Sequence, residues 1–215
     1  MRLILLPLAV FLGVATVGCS SDTRRELLGI EVAELCPADP AAQFFPIGLF
    51  GNGDWKQVDE FVRGWYSYHL SAMQEPPLSC GKSQAQESYR FVWLRTFDNP
   101  IAVRVNRFGK DVHLEAVVLN GQGGYDAGQV SQRVSKRLAF EQWEELLIEA
   151  EAADFWHLPA TADDQGFDGA QWIIEGRKGD RYHLVDRWSG SDGVQRIGLK
   201  LLELADLTNS VGPIY

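Results

Sequence analysis

The chain has 215 residues, of which 46% are hydrophobic and 23% are charged, proportions typical of a folded domain rather than a disordered chain. This length accommodates one domain once any targeting segment is removed. The net charge of −9 argues against a nucleic-acid partner, because such partners are bound by cationic surfaces that release counterions.

The first 18 residues have the pattern of a signal peptide. Met1 and Arg2 are followed by an apolar run at residues 3–17, which is shorter than the roughly 20 residues that span a bilayer. The segment ending at Cys19 resembles a bacterial lipoprotein signal, in which the cysteine is acylated, palmitate included, and becomes the mature N-terminus. The alternative is an ordinary secretory signal cleaved nearby, which would leave Cys19 as a thiol.

Ser20 follows the cysteine at the position where lipoproteins retained in the inner membrane carry Asp. The resemblance therefore implies a lipid-anchored protein of the outer membrane, facing the periplasm. We interpret residues 19–35 as the lipidated N-terminus and a tether, which spans at most about 50 Å when fully extended. Residues 36–215 form a single predicted domain, and the membrane is its expected partner through Cys19.

Cys36 and Cys80 form an even pair in an exported chain, which favours a disulfide between them. The bond would close a loop of about 45 residues and stabilise the domain by roughly 4 kcal/mol in the chain-entropy model. The alternative is two buried thiols. Neither cysteine has a second Cys or His at ligand spacing, so the sequence predicts no metal site.

A helix is predicted from residue 55 onward. Asp54, with Gln57 three residues later, resembles a capping box. Apolar side chains then recur at helical spacing as far as Met73, and Pro76–Pro77 end the helix because neither donates a backbone hydrogen bond. His69 lies on the apolar face of this helix and is interpreted as a core histidine.

The clearest strand pair follows a first strand that begins at Tyr89. A two-residue turn at Gly109–Lys110 places Val105 opposite Leu114 on an apolar face. The same register places Arg104 opposite Glu115 on the other face, which we expect to be hydrated.

Alternation over residues 130–138 predicts a fourth, half-exposed strand. Arg133, Lys136 and Arg137 form a basic strip along it. Charges of this kind protect an exposed strand edge from pairing with other chains. The alternative is that the strip docks an acidic protein partner of the envelope.

The remaining elements are a helix near residues 140–153, a hairpin of residues 170–176 and 181–188, and a helix from about residue 194. Runs of antiparallel strands combined with helices indicate an α+β domain. We predict an antiparallel sheet of about five to six strands, two clear hairpins among them, with three helices packed on one face of the sheet.

The second hairpin contains the candidate binding residues. With a turn at Lys178–Gly179, Glu175 lies opposite Tyr182, while His183 and Asp186 point to opposite faces. No carboxylate of the hairpin can therefore orient His183 as a general base. The set forms either a structural clasp or a ligand pocket, and the candidate ligand-binding residues are Trp172, Glu175, Tyr182, His183, Arg187 and Trp188.

The same hairpin contains the pattern D-G-x-x-W-x-x-E-G from Asp168 to Gly176, followed by Y-H-x-x-x-R-W from Tyr182 to Trp188. It resembles the signature of a family of uncharacterised bacterial proteins, and the segments Trp65–Tyr66 and Glu75–Leu78 fit the same family. The resemblance covers most of the mature chain. It implies a shared fold and no particular activity.

The sequence predicts no cofactor and no catalytic residue. The run Gly121–Gly124 resembles a phosphate loop in glycine content alone and is interpreted as a flexible connector. We therefore expect a membrane-anchored binding or interaction module of the cell envelope. The alternatives are an envelope enzyme with a pocket around Glu175, His183 and Arg187, and a passive structural lipoprotein.

Overall fold

The structure is a computed structural model, and it describes residues 44–51, 53–80, 84–162, 166, 168–190 and 193–215. This part of the chain contains three α-helices and one six-stranded antiparallel sheet, which confirms the predicted α+β class. The helices are α1 (Lys56–Met73), α2 (Phe140–Ala152) and α3 (Val194–Leu204). The strands are β1 (Glu87–Arg95), β2 (Ile101–Phe108), β3 (Asp111–Leu119), β4 (Val130–Leu138), β5 (Ala170–Lys178) and β6 (Arg181–Trp188).

The signal segment, the tether, Cys19 and Cys36 lie outside the described residues. The lipid anchor, the division into segments and the disulfide therefore stay predictions. Cys80 is described and is buried. No helix among the described residues is long and apolar enough to cross a membrane.

The strands lie in the order β4-β3-β2-β1-β5-β6. The predicted register of β2 and β3 is confirmed, with Val105 opposite Leu114. The predicted register of β5 and β6 is wrong by two residues, because Glu175 lies opposite Leu184. The turn begins at Gly179, whose φ of 59° suits the first position of a two-residue hairpin turn.

Helices cover both faces of the sheet, so the prediction that all three pack on one face is wrong. α2 and α3 pack on one face around Trp143, Ile197 and Leu201, and we call it the α2/α3 face. α1 packs on the other face through Tyr66 and Leu70, and we call it the α1 face.

The face of β2 that was expected to be hydrated is part of the α1 face. Arg104 is only 8% exposed there. Its guanidinium pairs with Glu115, which lies opposite it as the predicted register required, and also with Glu75 from the segment after α1. A buried arginine with carboxylate partners produces the same alternation of polar and apolar residues along a strand as an exposed arginine. The alternation alone therefore could not show that this face of β2 is covered.

The helix α1 begins at Lys56, one residue after the predicted start, but the predicted capping box of Asp54 and Gln57 is wrong. Residues Gly53–Trp55 form a 3-10 turn before the helix, and no side chain caps the N-terminus at Trp55. The predicted end is confirmed, because the helix stops at Met73 and Gln74 adopts a left-handed conformation with a φ of 60°.

The basic residues of the edge strand β4 do not form one strip. Arg133 and Lys136 point to opposite faces, since side chains alternate along a strand. Arg133 Nη2 donates to the carbonyl oxygen of Met73 at 3.1 Å, whereas Lys136 pairs with Asp206 beyond α3. Both charges have partners within the chain, which weakens the interpretation of this edge as a docking surface.

Candidate functional site

The six candidate ligand-binding residues of the β5–β6 hairpin do not share one pocket. Strand alternation places Trp172, His183 and Arg187 on the α2/α3 face, and Glu175, Tyr182 and Trp188 on the α1 face. The enzyme pocket predicted around Glu175, His183 and Arg187 is therefore not formed, because the sheet separates the first residue from the other two.

On the α2/α3 face, the candidates are held by the fold. The indole Nε1 of Trp172, a fully buried residue, donates to the carbonyl oxygen of Tyr215 at 3.0 Å. The imidazole of His183 packs edge-on against Phe155, with the ring centroids 5.1 Å apart. Burial lowers the pKa of this imidazole. Arg187 donates to the carbonyl oxygen of Pro159 at 3.0 Å.

On the α1 face, Glu175 belongs to a buried charge network. Tyr182 donates its hydroxyl hydrogen to Glu175 Oε1 at 2.9 Å, and Arg90 Nε donates to Oε2 at 2.6 Å. Burial and the adjacent carboxylate both raise the pKa of the Tyr182 hydroxyl. Neither Glu175 nor Arg90 has any exposed surface, so this network is not accessible to a ligand.

The network also fastens the segment that follows α1. Arg90 Nη1 donates to the carbonyl oxygen of Pro76 at 2.6 Å, and Arg104 Nε donates to Glu75 Oε2 at 2.7 Å. Arg177 Nη1 donates to the carbonyl oxygen of Leu78 at 3.3 Å. Three strands thus contribute arginines that hold this segment against the sheet. We therefore assign a structural role to Glu175 and Tyr182, which belong to this network.

A cleft of about 800 Å³ opens on the α1 face, between α1 and the ends of β5 and β6. Its walls combine aromatic rings with a few polar groups. The aromatic lining residues are Phe50, Phe61, Trp65, Tyr66, Tyr125 and Trp188. The polar lining residues with side-chain oxygens are Thr96, Thr161, Gln171 and Asp186, besides the two tyrosines.

Helix α1 provides one wall because its lining residues recur at helical spacing. Phe61, Val62 and Trp65 lie three and four residues apart and so occupy one face of the helix. Trp65 Nε1 donates to the carbonyl oxygen of Gly123 at 2.8 Å, which holds the indole in place. This bond also joins the helix to the loop that forms the opposite rim.

That rim is the glycine-rich loop that was interpreted as a flexible connector. The loop is instead closely packed. A Cβ atom at Gly123 would lie 2.6 Å from the backbone nitrogen of Arg95, and Gly124 N donates to the carbonyl oxygen of Thr96 at 3.2 Å. The glycines therefore allow the loop to lie against the end of β1 and to bring Tyr125 to the cleft.

Phe50 is placed by a carboxylate of α1. Asp59 accepts hydrogen bonds from the backbone nitrogens of Gly48 at 3.1 Å and Phe50 at 3.0 Å, and from Arg63 Nε at 2.7 Å. Burial alone would raise the pKa of the Asp59 carboxyl, but these bonds outweigh it, so the pKa is lowered. The segment before α1 is thereby held to the helix, with Phe50 in the lining of the cleft.

The floor of the cleft contains a hydrogen-bonded pair. Tyr66 donates its hydroxyl hydrogen to Asp186 Oδ2 at 2.8 Å. The described lining residues include no Lys, Arg, His, Cys or Ser. No group of three or more metal-ligating side chains occurs in the part of the chain that the structure describes. The arrangement provides stacking surfaces and hydrogen-bonding groups, which suit binding.

The sequence analysis singled out some residues that line this cleft but did not predict the cleft itself. Trp188 was among the candidate residues, and Trp65–Tyr66 belonged to the family signature. The remaining walls come from distant parts of the chain and had no local signal.

The sequence matches no protein-family model, and no curated protein is significantly similar to it. The resemblance based on the hairpin signature therefore stays a prediction.

Proposed function

We propose that the chain is a ligand-binding lipoprotein of the bacterial cell envelope, anchored in the outer membrane through Cys19, whose cleft binds a small molecule with a large apolar surface. The observation that carries the proposal is the convergence of six aromatic side chains on one cleft of about 800 Å³. Small-molecule sites are typically concave, mostly apolar and of about 300–1,000 Å³.

The exposed rings at the rim support binding. Phe61, in α1, is 70% exposed, and Tyr125, in the hydrogen-bonded glycine-rich loop, is 62% exposed. Clustered apolar side chains that remain in water at a concave surface are typical of an interaction site. A ligand that covered both rings would remove this apolar area from water, which is favourable by about 25 cal/mol per Å².

The walls of the cleft are joined before any ligand arrives. Trp65 is bonded to the glycine-rich loop, and Tyr66 is bonded to β6. A preformed site loses less conformational entropy on binding than a site that must be ordered by its ligand. These cross-links favour a binding role over the passive structural alternative, which has no need of an open cleft.

The test is a titration of the detergent-solubilised full chain with benzyl alcohol, a neutral, water-soluble aromatic probe, followed by tryptophan fluorescence. We expect saturable binding that weakens about tenfold or more in the double variant Phe61→Ala/Tyr125→Ala, because both stacking faces are lost. Both side chains are exposed, so the variant should fold.

Trp55→Ala is the matched control. Trp55 is 68% exposed and precedes α1, but it does not line the cleft. Its removal should leave the dissociation constant unchanged. Absence of saturable binding to the native chain, or equal affinity in the native chain and the double variant, would contradict the proposed function.

A further inference from the structure

We infer that the α1 face contains a second binding site, a pocket that binds the carboxylate group of a small organic monoanion. The site is separate from the aromatic cleft, so the inference does not rest on the proposed function. It follows from a buried arginine that has no carboxylate partner among the described residues, and from two further hydrogen-bond donors that line the same pocket.

The pocket lies at the end of β5 that is remote from the aromatic cleft. Arg177, near the last residue of β5, lines the pocket, whereas Gln171, near the first, lines the cleft. The pocket has a volume of about 360 Å³ and is bounded by the segment after α1, by β2 and by β5. This volume is at the lower end of the range for small-molecule sites.

Arg177 is a buried charge that is bonded to main-chain groups. Its side chain belongs to a residue that is only 6% exposed. Its Nε donates to the carbonyl oxygen of Gly179 at 3.1 Å, and its Nη1 donates to those of Leu78 at 3.3 Å and Cys80 at 3.4 Å. Carbonyl groups accept hydrogen bonds but do not neutralise a charge. Among the described residues no carboxylate forms an ion pair with Arg177, although buried charges are normally paired.

The same bonds fix the guanidinium of Arg177 and leave one nitrogen available. Both hydrogens of Nη2 are without a partner among the described residues. Nη2 is not one of the fully enclosed unpaired nitrogens of these residues, so it is accessible from the pocket that Arg177 lines. A donor that is fixed in advance loses little conformational entropy when it binds a ligand.

Strand β2 provides two more donors to the pocket. Arg104 is 8% exposed and uses Nε and Nη2 to bond to Glu75 and Glu115, which leaves Nη1 as a donor. Asn106 accepts the hydroxyl hydrogen of Ser88 through Oδ1 at 2.8 Å, which leaves its amide Nδ2 as a donor. Both residues line the pocket.

The sheet register places these donors around one position. Ser88 lies opposite Asn106 on β2 and opposite Arg177 on β5. The backbones of β2 and β5 are therefore two strand spacings apart, or about 10 Å. A carboxylate located above Ser88 lies between the donors of the two strands.

The charges and the walls of the pocket specify the class of ligand. The described lining residues include Arg104 and Arg177 but no Asp or Glu. Because Arg104 is paired and Arg177 is not, a monoanion supplies the missing counter-charge, through the strong hydrogen bonds that guanidinium and carboxylate groups form. The net charge of −9 opposes an anion only at long range, where salt screens it. The apolar body of the ligand would contact Pro76, Pro77, Leu78 and Phe108.

The test compares butyrate with butyramide, in which a neutral amide replaces the carboxylate and the shape is retained. The detergent-solubilised full chain is labelled with ¹⁵N and titrated with each probe at constant ionic strength. Binding is followed by the ¹H–¹⁵N signals of the arginine side chains. We expect the Nε signal of Arg177 to shift saturably with butyrate, and the affinity to be about tenfold or more above that for butyramide, because hydrogen bonds between charged groups are the stronger ones.

The variant Asn106→Asp supplies a carboxylate from the chain itself. It keeps an oxygen that accepts the Ser88 hydrogen bond, but it compensates the charge of Arg177 and repels an anion. We expect its affinity for butyrate to fall about tenfold or more, to that for butyramide. Asn209→Asp is the control, because Asn209 is exposed after α3 and does not line the pocket. It changes the net charge equally and should retain the preference for butyrate.

The outcomes that overturn the inference differ from those that concern the cleft. Equal affinity for the two probes, or an unchanged affinity for butyrate in Asn106→Asp, overturns it. Tighter binding of inorganic phosphate than of butyrate overturns the assignment to monocarboxylates. Displacement of butyrate by benzyl alcohol would place butyrate in the aromatic cleft and also overturns the inference. The comparison of butyrate with butyramide on the native chain decides the matter even if Asn106→Asp does not fold.

Discussion

Arg90 and Glu175 lie directly opposite each other on the paired strands β1 and β5, with Arg90 Nε 2.6 Å from Glu175 Oε2 and neither side chain exposed. Removing one partner of a buried ion pair leaves the other charge without compensation, which costs far more than the loss of a surface pair. This pair therefore ties the segment after α1, through Arg90, to the centre of the sheet.

The substitution Glu175→Gln tests this role. It preserves the shape of the side chain, but among the described residues it leaves Glu75, at 3.3 Å, as the remaining carboxylate partner of Arg90. We expect the free energy of unfolding in urea to decrease by about 3 kcal/mol. The matched control is Glu115→Gln, because the side chain of Glu115 is 49% exposed in its pair with Arg104. Its cost should be below about 1 kcal/mol, and equal losses in the two variants would contradict the prediction.

Buried histidines make the stability depend on pH. Burial lowers the pKa of His69 and of His183 from the ordinary value of 6.5. Below about pH 6.5 the unfolded chain therefore binds more protons than the folded chain, and the free energy of unfolding falls as the pH falls. We expect lower stability at about pH 5.5 than at about pH 7.5 in urea titrations.

The variant His69→Gln should show a smaller loss over this range, because His69 is fully buried and its proton uptake is coupled to unfolding. His113→Gln is the control, because His113 is exposed on β3 and its ring remains solvated in both states. A loss in His69→Gln as large as that of the native chain would show that other groups cause the dependence.

The two hairpins show which part of the fold could be predicted. Alternation defines which residues share a face, and a shift of two residues preserves it. Both hairpins were therefore assigned the correct faces, but the register of β5 and β6 depended on the turn alone. Gly109 and Gly179 each occupy the first position of a two-residue turn with positive φ. The sequence analysis placed Gly109 in this first position but placed Gly179 in the second. Placing Gly179 first as well would have given the observed pairing.

The cleft could not be predicted because its parts are distant in sequence. Tyr66 and Asp186, which are bonded across its floor, are 120 residues apart, and Trp65 and Gly123 are 58 residues apart. Each of these residues has an ordinary local interpretation as a core aromatic, a strand acid or a loop glycine. Their proximity follows only from the packing of α1 against the sheet.

Two glycines provide an opposed pair of predictions. A Cβ atom at Gly123 would clash with the backbone of Arg95 at 2.6 Å, whereas one at Gly64 would meet nothing within 4 Å. Gly64 lies inside α1, where alanine is preferred to glycine by about 0.5–1 kcal/mol. We therefore expect Gly64→Ala to raise the melting temperature and Gly123→Ala to lower it. Gly123→Ala should also weaken benzyl alcohol binding, since it displaces the rim, and equal melting temperatures would contradict the packing argument.

The last prediction compares two aspartates at the start of α1. Asp59 accepts three hydrogen bonds and holds Phe50 at the cleft, whereas Asp54 makes no capping bond to the helix. Asp59→Ala leaves two backbone donors and Arg63 without their partner, so we expect a loss of about 3 kcal/mol in the free energy of unfolding. Benzyl alcohol binding should weaken as well, because Phe50 is released.

Asp54→Ala is the matched control for this variant, and urea denaturation combined with the benzyl alcohol titration measures both effects. If Asp54 capped the helix, its replacement by alanine would cost about 1 kcal/mol. The structure leads us to expect almost no change, because Asp54 is exposed in the 3-10 turn before α1. A larger loss for Asp54→Ala than for Asp59→Ala would show that the helix begins with the sequence-predicted cap and that Phe50 is not held by Asp59.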